Sequence, residues 1–87
     1  MEKNDNKPAR LGTALILIEN TESVPELNNI LSNHAGIIIA RQGIHLTEKP
    51  VRMISLVVEG NTDEIGSLTG KIGKLQGVSV KSVLCKA

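Results

Sequence analysis

The chain has 87 residues, 22% of them charged, with ten Lys and Arg against nine Asp and Glu and a formal net charge of +1. That length fits one domain, and so even a balance lacks the broad positive field that holds a nucleic-acid backbone, so no direct nucleic-acid binding is expected. Phe, Tyr and Trp are absent, so the core has to come from Ile, Leu and Val.

The opening residues, MEKNDNKPAR, are polar and contain no hydrophobic run, so no secretory signal is expected. No apolar segment approaches the ~20 residues that cross a bilayer. One cysteine, Cys85, leaves no partner for an intramolecular disulfide and fits a reducing cytoplasm. Residues 1–9 read as a disordered tail and 10–87 as a single domain, with a cytoplasmic location.

LGTALILIE (Leu11–Glu19) is the first strand. A helix follows in SVPELNNILSNHAG: Ser23 is the expected N-cap, with Thr21 second, Glu26 completes a capping-box spacing, and Pro25 falls in the first turn. Val24, Leu27, Ile30 and Leu31 form its apolar stripe, and Gly36 ends it. IIIARQG (Ile37–Gly43) is the second strand and VRMISLVVE (Val51–Glu59) the third. The second helix, TDEIGSLTGKIGKL, takes Thr62 as its expected N-cap, with Asp63 and Glu64 complementing the dipole. VSVKSVL (Val78–Leu84) closes the series.

The order is βαββαβ, and it repeats. A shift of 41 residues lays Val24 on Ile65, Leu27 on Leu68, Leu31 on Ile72 and Gly36 on Gly77. Two βαβ units fold most simply as an α+β, ferredoxin-like sandwich. That means a four-stranded antiparallel sheet in the order 4-1-3-2, with two helices on one face.

Two helices cover one side of such a sheet. On the first strand Ala14, Ile16 and Ile18 oppose Leu15 and Leu17; on the third, Ile54, Leu56 and Val58 oppose Met53, Ser55 and Val57. The second strand opposes Ile37 and Ile39 to Ile38 and Ala40. One set faces water unless something covers it, as an aliphatic patch of some hundreds of Å², large for a soluble monomer. The flanking tail is too polar to serve. A second subunit is the expected cover, and symmetric dimers are the commonest arrangement. Leu15, Leu17, Met53, Ser55 and Val57 are the candidate interface of a homo-oligomer, dimer or tetramer.

Candidate chemistry is sparse. GSLTGKI has three residues between its glycines and Ile72 after Lys71, which fails the phosphate-binding pattern. Gly66, Gly70 and Gly73 share one helix face, at a cost of about 1 kcal/mol each. Close helix–helix contact is the first explanation; a contact with another subunit, or backbone open to a ligand, is the alternative. His34, His45 and Cys85 show no metal-ligand spacing, and no metal or cofactor is expected. Cys85 reads as a small buried or edge residue. RQGIHLTEKP (Arg41–Pro50) reads as a loop longer than a tight hairpin requires. It is either a binding region, with Arg41, Gly43 and His45 as candidate ligand contacts, or a solvated hairpin.

ILIENTESVPELNNIL, IIIARQGI and ISLVVEGNTDEIGSLTGKIGKLQGVSVKSV together resemble the iron-only hydrogenase system regulators. That family is similar to ACT domains and to the C-terminal domain of nickel-responsive regulators, which implies a ferredoxin-like fold and oligomers built through the sheets. Nickel-responsive regulators hold their metal through several histidines and a cysteine, a pattern that the two histidines here do not reproduce. Ten polar residues before the first strand cannot form a ribbon-helix-helix DNA-binding region, so an effect on transcription would pass through a partner protein. The expected function is a non-catalytic, oligomeric, ACT-like regulatory domain of the iron-only hydrogenase system. It would sense a small ligand between subunits, where Gly43 and the 41–50 loop meet the start of a neighbour's helix. A ligand-free assembly module is the alternative.

Overall fold

Alternation along the first strand resolves into two sides of a sheet. The computed structural model describes residues 8–46 and 48–85, so most of the expected tail lies outside the described residues. Strand β1 (Arg10–Ile18) leads through a 3-10 turn (Thr21–Ser23) into helix α1 (Val24–Asn33). A second 3-10 turn (Ala35–Ile37) precedes β2 (Ile38–His45), followed by β3 (Arg52–Gly60), α2 (Thr62–Gly73) and β4 (Val78–Leu84). The sheet is antiparallel with strands in the order β2-β3-β1-β4, the expected 4-1-3-2 read from the other edge.

The core is aliphatic throughout. Ala14, Ile16 and Ile18 of β1 and Leu56 and Val58 of β3 are buried under Leu27 and Leu31 of α1 and Ile65, Leu68 and Ile72 of α2. These are the helix stripes at 3.6-residue spacing set against the strand alternation at period two. Burying each Leu or Ile side chain contributes about 1.5–3 kcal/mol, which offsets the lack of aromatic blocks.

Local signals at the helix starts differ from expectation by one residue or one role. Ser23 precedes α1, but its side chain makes no capping bond. Asn20 caps the preceding 3-10 turn instead, accepting from the Glu22 amide, and the Ser23 hydroxyl donates to the Gln76 carbonyl at 2.7 Å. Ser23 follows a 3-10 turn with a helical backbone (φ −83°, ψ −6°), not the extended one of a capping residue, and it is buried with its hydroxyl turned toward the α2–β4 connection. At α2 the cap is Asn61, not Thr62. The Asn61 side chain accepts from the Glu64 amide at 2.8 Å, and the Glu64 carboxylate accepts from the Asn61 amide at 2.8 Å. This is a complete capping box.

The connection out of α2 turns at Gly77, whose φ of 72° lies in the left-handed region. A Cβ there would collide with the Asn20 side chain, so a glycine is required twice over. The Gly77 carbonyl accepts from the Glu19 amide at 2.7 Å, which registers the end of β1 against the start of β4.

Close helix–helix contact, the first explanation expected for the glycines inside α2, does not hold. A Cβ at Gly66 or Gly70 would meet no atom within 4 Å, and one at Gly73 would reach only Val80, at 3.8 Å. All three are exposed, so close packing against α1 is not what selects them. Among the described residues, no helix is long and apolar enough to cross a membrane.

Candidate functional site

The second strand corrects the sequence reading most. Arg41 and Gly43 lie in β2, as the Ile37–Gly43 strand reading has them and the Arg41–Pro50 loop reading does not, and the strand runs on through His45; the three pair with Leu56, Ile54 and Arg52 of β3. The strand continues because β3 supplies partners as far as Arg52. Only the segment beyond His45 connects the two strands, and Thr47 lies outside the described residues. At the other end of the strand, Ile37 falls in the 3-10 turn.

A bulge then decides which way the strand's side chains point. Ile38 pairs with Val58 and Ala40 with Val57, so Ile39 is an extra residue between adjacent partners. The alternation therefore slips. Ile38 packs on the core side, whereas Ala40 lies on the opposite side with Val57, although period two would place both together. Beyond the slip, Arg41, Gly43 and His45 share the side of Leu56, Ile54 and Arg52, facing the helix layer.

There they border a cleft of about 400 Å³ between the sheet and the N-terminal half of α1. Arg41, Gly43, His45 and Arg52 line its sheet side, and Val24 and Leu27 line its helix side. Among the described residues, no acidic one lines it. Among the described residues the side chains of Arg41, His45 and Arg52 make no hydrogen bond or ion pair. A Cβ on Gly43 would meet nothing within 4 Å. The three candidate residues are thus brought together, and Arg52 joins them. Its position directly opposite His45 depends on strand register, which the sequence does not reveal.

Two other concavities differ in character. A larger groove of about 530 Å³ runs between the helices, but Glu22 and Glu26 on one wall oppose Lys71 and Lys74 on the other. Such mixed charge is self-compensating and fits a solvated seam. At the far end of the helices, His34 closes α1. Its Nδ1 lies 2.8 Å from the Ile30 carbonyl and its Nε2 3.5 Å from the Ser67 hydroxyl, an arrangement that spans the two helices. Among the described residues no three His, Cys, Asp or Glu side chains gather as a metal centre. Cys85 is exposed, its amide donating to the Leu11 carbonyl at 2.7 Å beyond the end of the edge strand β4.

The opposite side of the sheet carries the residues expected at an oligomer interface. Leu15 lies opposite Ser55, Leu17 opposite Met53 and Thr13 opposite Val57. Leu15 is 44% exposed and Val57 39%. Leu11, Ile44 and Val83 extend the same side and are also exposed. Leu11 is a β1 residue of this open side, opposite Glu59.

Residues 10–82 match the family described as TM1266-like, "Iron-only hydrogenase system regulator, putative". The chain belongs to this family. Among solved structures, the TM1266-like chain is similar to the uncharacterized protein TM1266 from Thermotoga maritima. The two are 32% identical, with a TM-score of 0.84 over 90% of this chain and 99% of that one. The ACT domain from GTP pyrophosphokinase of Chlorobium tepidum gives a TM-score of 0.66 at 18% identity, over 88% of this chain and 99% of that one. A formyltetrahydrofolate deformylase from Pseudomonas putida gives 0.59 at 6% identity, over 84% of this chain and 28% of that one. At these lower identities the likeness is one of fold, and the fold is ACT-like and ferredoxin-like. No curated protein sequence matches the chain.

Proposed function

We propose that this member of the iron-only hydrogenase system regulator family is a non-catalytic, cytoplasmic sensor domain that assembles with copies of itself. It binds a small molecule and passes its state on through a partner protein. The observation that carries this reading is the cleft beside α1. Three residues chosen for ligand contact from the sequence, Arg41, Gly43 and His45, line one concavity together, with polar groups above and an apolar wall beside them. Binding sites for small molecules have this composition, a mostly apolar lining with a few convergent polar groups. Membership of a regulator family and the ACT-like fold support a regulatory role.

The open sheet face supports assembly. Leu15, Leu17, Met53, Ser55 and Val57 form one continuous side that the helices do not reach, and a second copy laid against it would remove that apolar surface from water. Ligand binding would then shift the balance between packings only as far as its affinity for them differs. A ligand-free assembly module is the second reading, favoured by the same open face.

Native mass spectrometry of freshly purified protein tests both at once. A mass above one chain with a retained small molecule, displaced when Arg41 is replaced by Ala, is the expected result. A multimer that carries nothing, and equilibrium dialysis against amino acids, nucleotides and metal ions showing no uptake, would leave only the assembly module. A lone chain would remove both readings.

A further inference from the structure

The cleft's own chemistry specifies more than the presence of a ligand. We infer that it binds a small organic anion, with a carboxylate or phosphate group placed over Gly43 between the side chains of Arg41 and Arg52. This rests on the sensor reading above and adds the chemical class of ligand and a residue, Arg52, that the sequence does not single out.

Four observations converge. The first is charge: two arginines and a histidine line the cleft, and among the described residues no acidic one does. A guanidinium forms short, charge-assisted and often bidentate hydrogen bonds to carboxylate or phosphate oxygens. The second is spacing. Arg41 pairs with Leu56, Gly43 with Ile54 and His45 with Arg52, so Arg41 and Arg52 stand at opposite corners of the floor with Gly43 between. Four residues of strand separate those corners by about 13 Å, a span that two extended arginine side chains close to the width of one anionic group.

Third is the glycine. A glycine inside a strand weakens it and leaves a gap where another molecule can approach the backbone closely. At Gly43 no packing demand explains it, since a Cβ would meet nothing within 4 Å. The fourth is the facing wall, where the half-buried Val24 offers contact to an apolar body and Asn28 beside it carries no competing charge. The α1 end at this wall is the N-terminal one, the positive end of the helix dipole.

Edge-strand protection is the competing explanation for charge on β2, because cationic side chains discourage pairing with other chains. It accounts for Arg41 and His45. It does not account for Arg52, which stands on the interior strand β3, or for the missing side chain at Gly43.

Amide chemical shifts of the full chain, followed during titration, test the inference with three probes. These are inorganic phosphate, 3-methylbutanoate and the neutral 3-methylbutanamide. One or both anions should shift the Gly43, Val24 and Leu27 amides, and the neutral amide should not. Phosphate alone acting assigns a phosphate-type ligand; 3-methylbutanoate alone assigns a carboxylate whose apolar body reaches α1. R41Q and R52Q should each weaken the anion roughly tenfold, as loss of a charge-assisted pair implies. Gly43→Val, whose Cβ would meet nothing within 4 Å, should abolish the response and leave the melting temperature at or above that of the parent chain. No response to either anion, equal response to the neutral probe, or binding that R41Q and R52Q leave unchanged would overturn the assignment. A retained neutral or cationic molecule displaced by Gly43→Val would overturn the anion and keep the sensor. An empty cleft together with inert variants would end both.

Discussion

The hydroxyl of Ser23 donates to the carbonyl of Gln76 at 2.7 Å, joining two connections 53 residues apart in the chain. Beside it the Glu19 amide donates to Gly77, so the β1–α1 and α2–β4 junctions are fastened by two bonds. Replacing Ser23 by Ala removes one of them and should cost about 1 kcal/mol. In a domain of this size that lowers the melting temperature by roughly 4–8 °C, measurable by scanning calorimetry. An unchanged melting temperature would mean that water replaces the bond without loss.

The glycines of this structure should respond in opposite directions. Gly66→Ala and Gly70→Ala add a methyl group into open space on a helix, and each should raise stability by about 0.5–1 kcal/mol in urea titrations. Gly77→Ala combines a left-handed backbone with a collision at Asn20, and should cost more than about 1–2 kcal/mol. If Gly66→Ala stabilises the single chain but weakens assembly, the outer face of α2 is a contact between copies.

The capping box gives a paired test. Asn61→Ala removes a side chain that satisfies the Glu64 amide, and should cost about 1–2 kcal/mol. Thr62→Ala, at the position that the sequence favours as the cap, should change stability by only a few tenths. Thermal unfolding of the two variants side by side decides which residue starts α2.

The open sheet face predicts an assembly defect without a folding defect. Val57→Asp places a carboxylate in the middle of that face, on a side chain already 39% exposed in the single chain. Sedimentation velocity should show a smaller particle than the parent, with an unchanged far-ultraviolet circular dichroism spectrum. A parent chain that already sediments as one copy would remove the assembly proposal.

Periodicity revealed the architecture because it is redundant here. The 41-residue repeat, the Leu27–Leu31 and Ile65–Leu68–Ile72 stripes and the two-sided LILI all specify one topology, and the family resemblance agrees with them. What escaped was decided by pairing across the sheet. The neighbour of Ser23 is 53 positions away, so its hydroxyl reads locally as a cap. Ile44 and His45 lie beyond the expected end of the second strand because Gly43 interrupts its pattern, yet register with β3 holds them extended. Arg41, Gly43 and His45 were legible as residue types; the side they occupy and the addition of Arg52 were not.

The extra residue at Ile39 gives this chain one position that can be lost without turning the strand over. Once it is removed, Ile38 opposite Val58 and Ala40 opposite Val57 become consecutive rungs of a regular ladder, so Arg41, Gly43 and His45 should stay beside Leu56, Ile54 and Arg52. Losing Gln42 instead would let Ile39 take up the place opposite Val57 and carry Arg41 round to Ser55, on the surface meant for another copy. Length polymorphism should therefore be tolerated at position 39 among functional relatives and be far rarer at position 42.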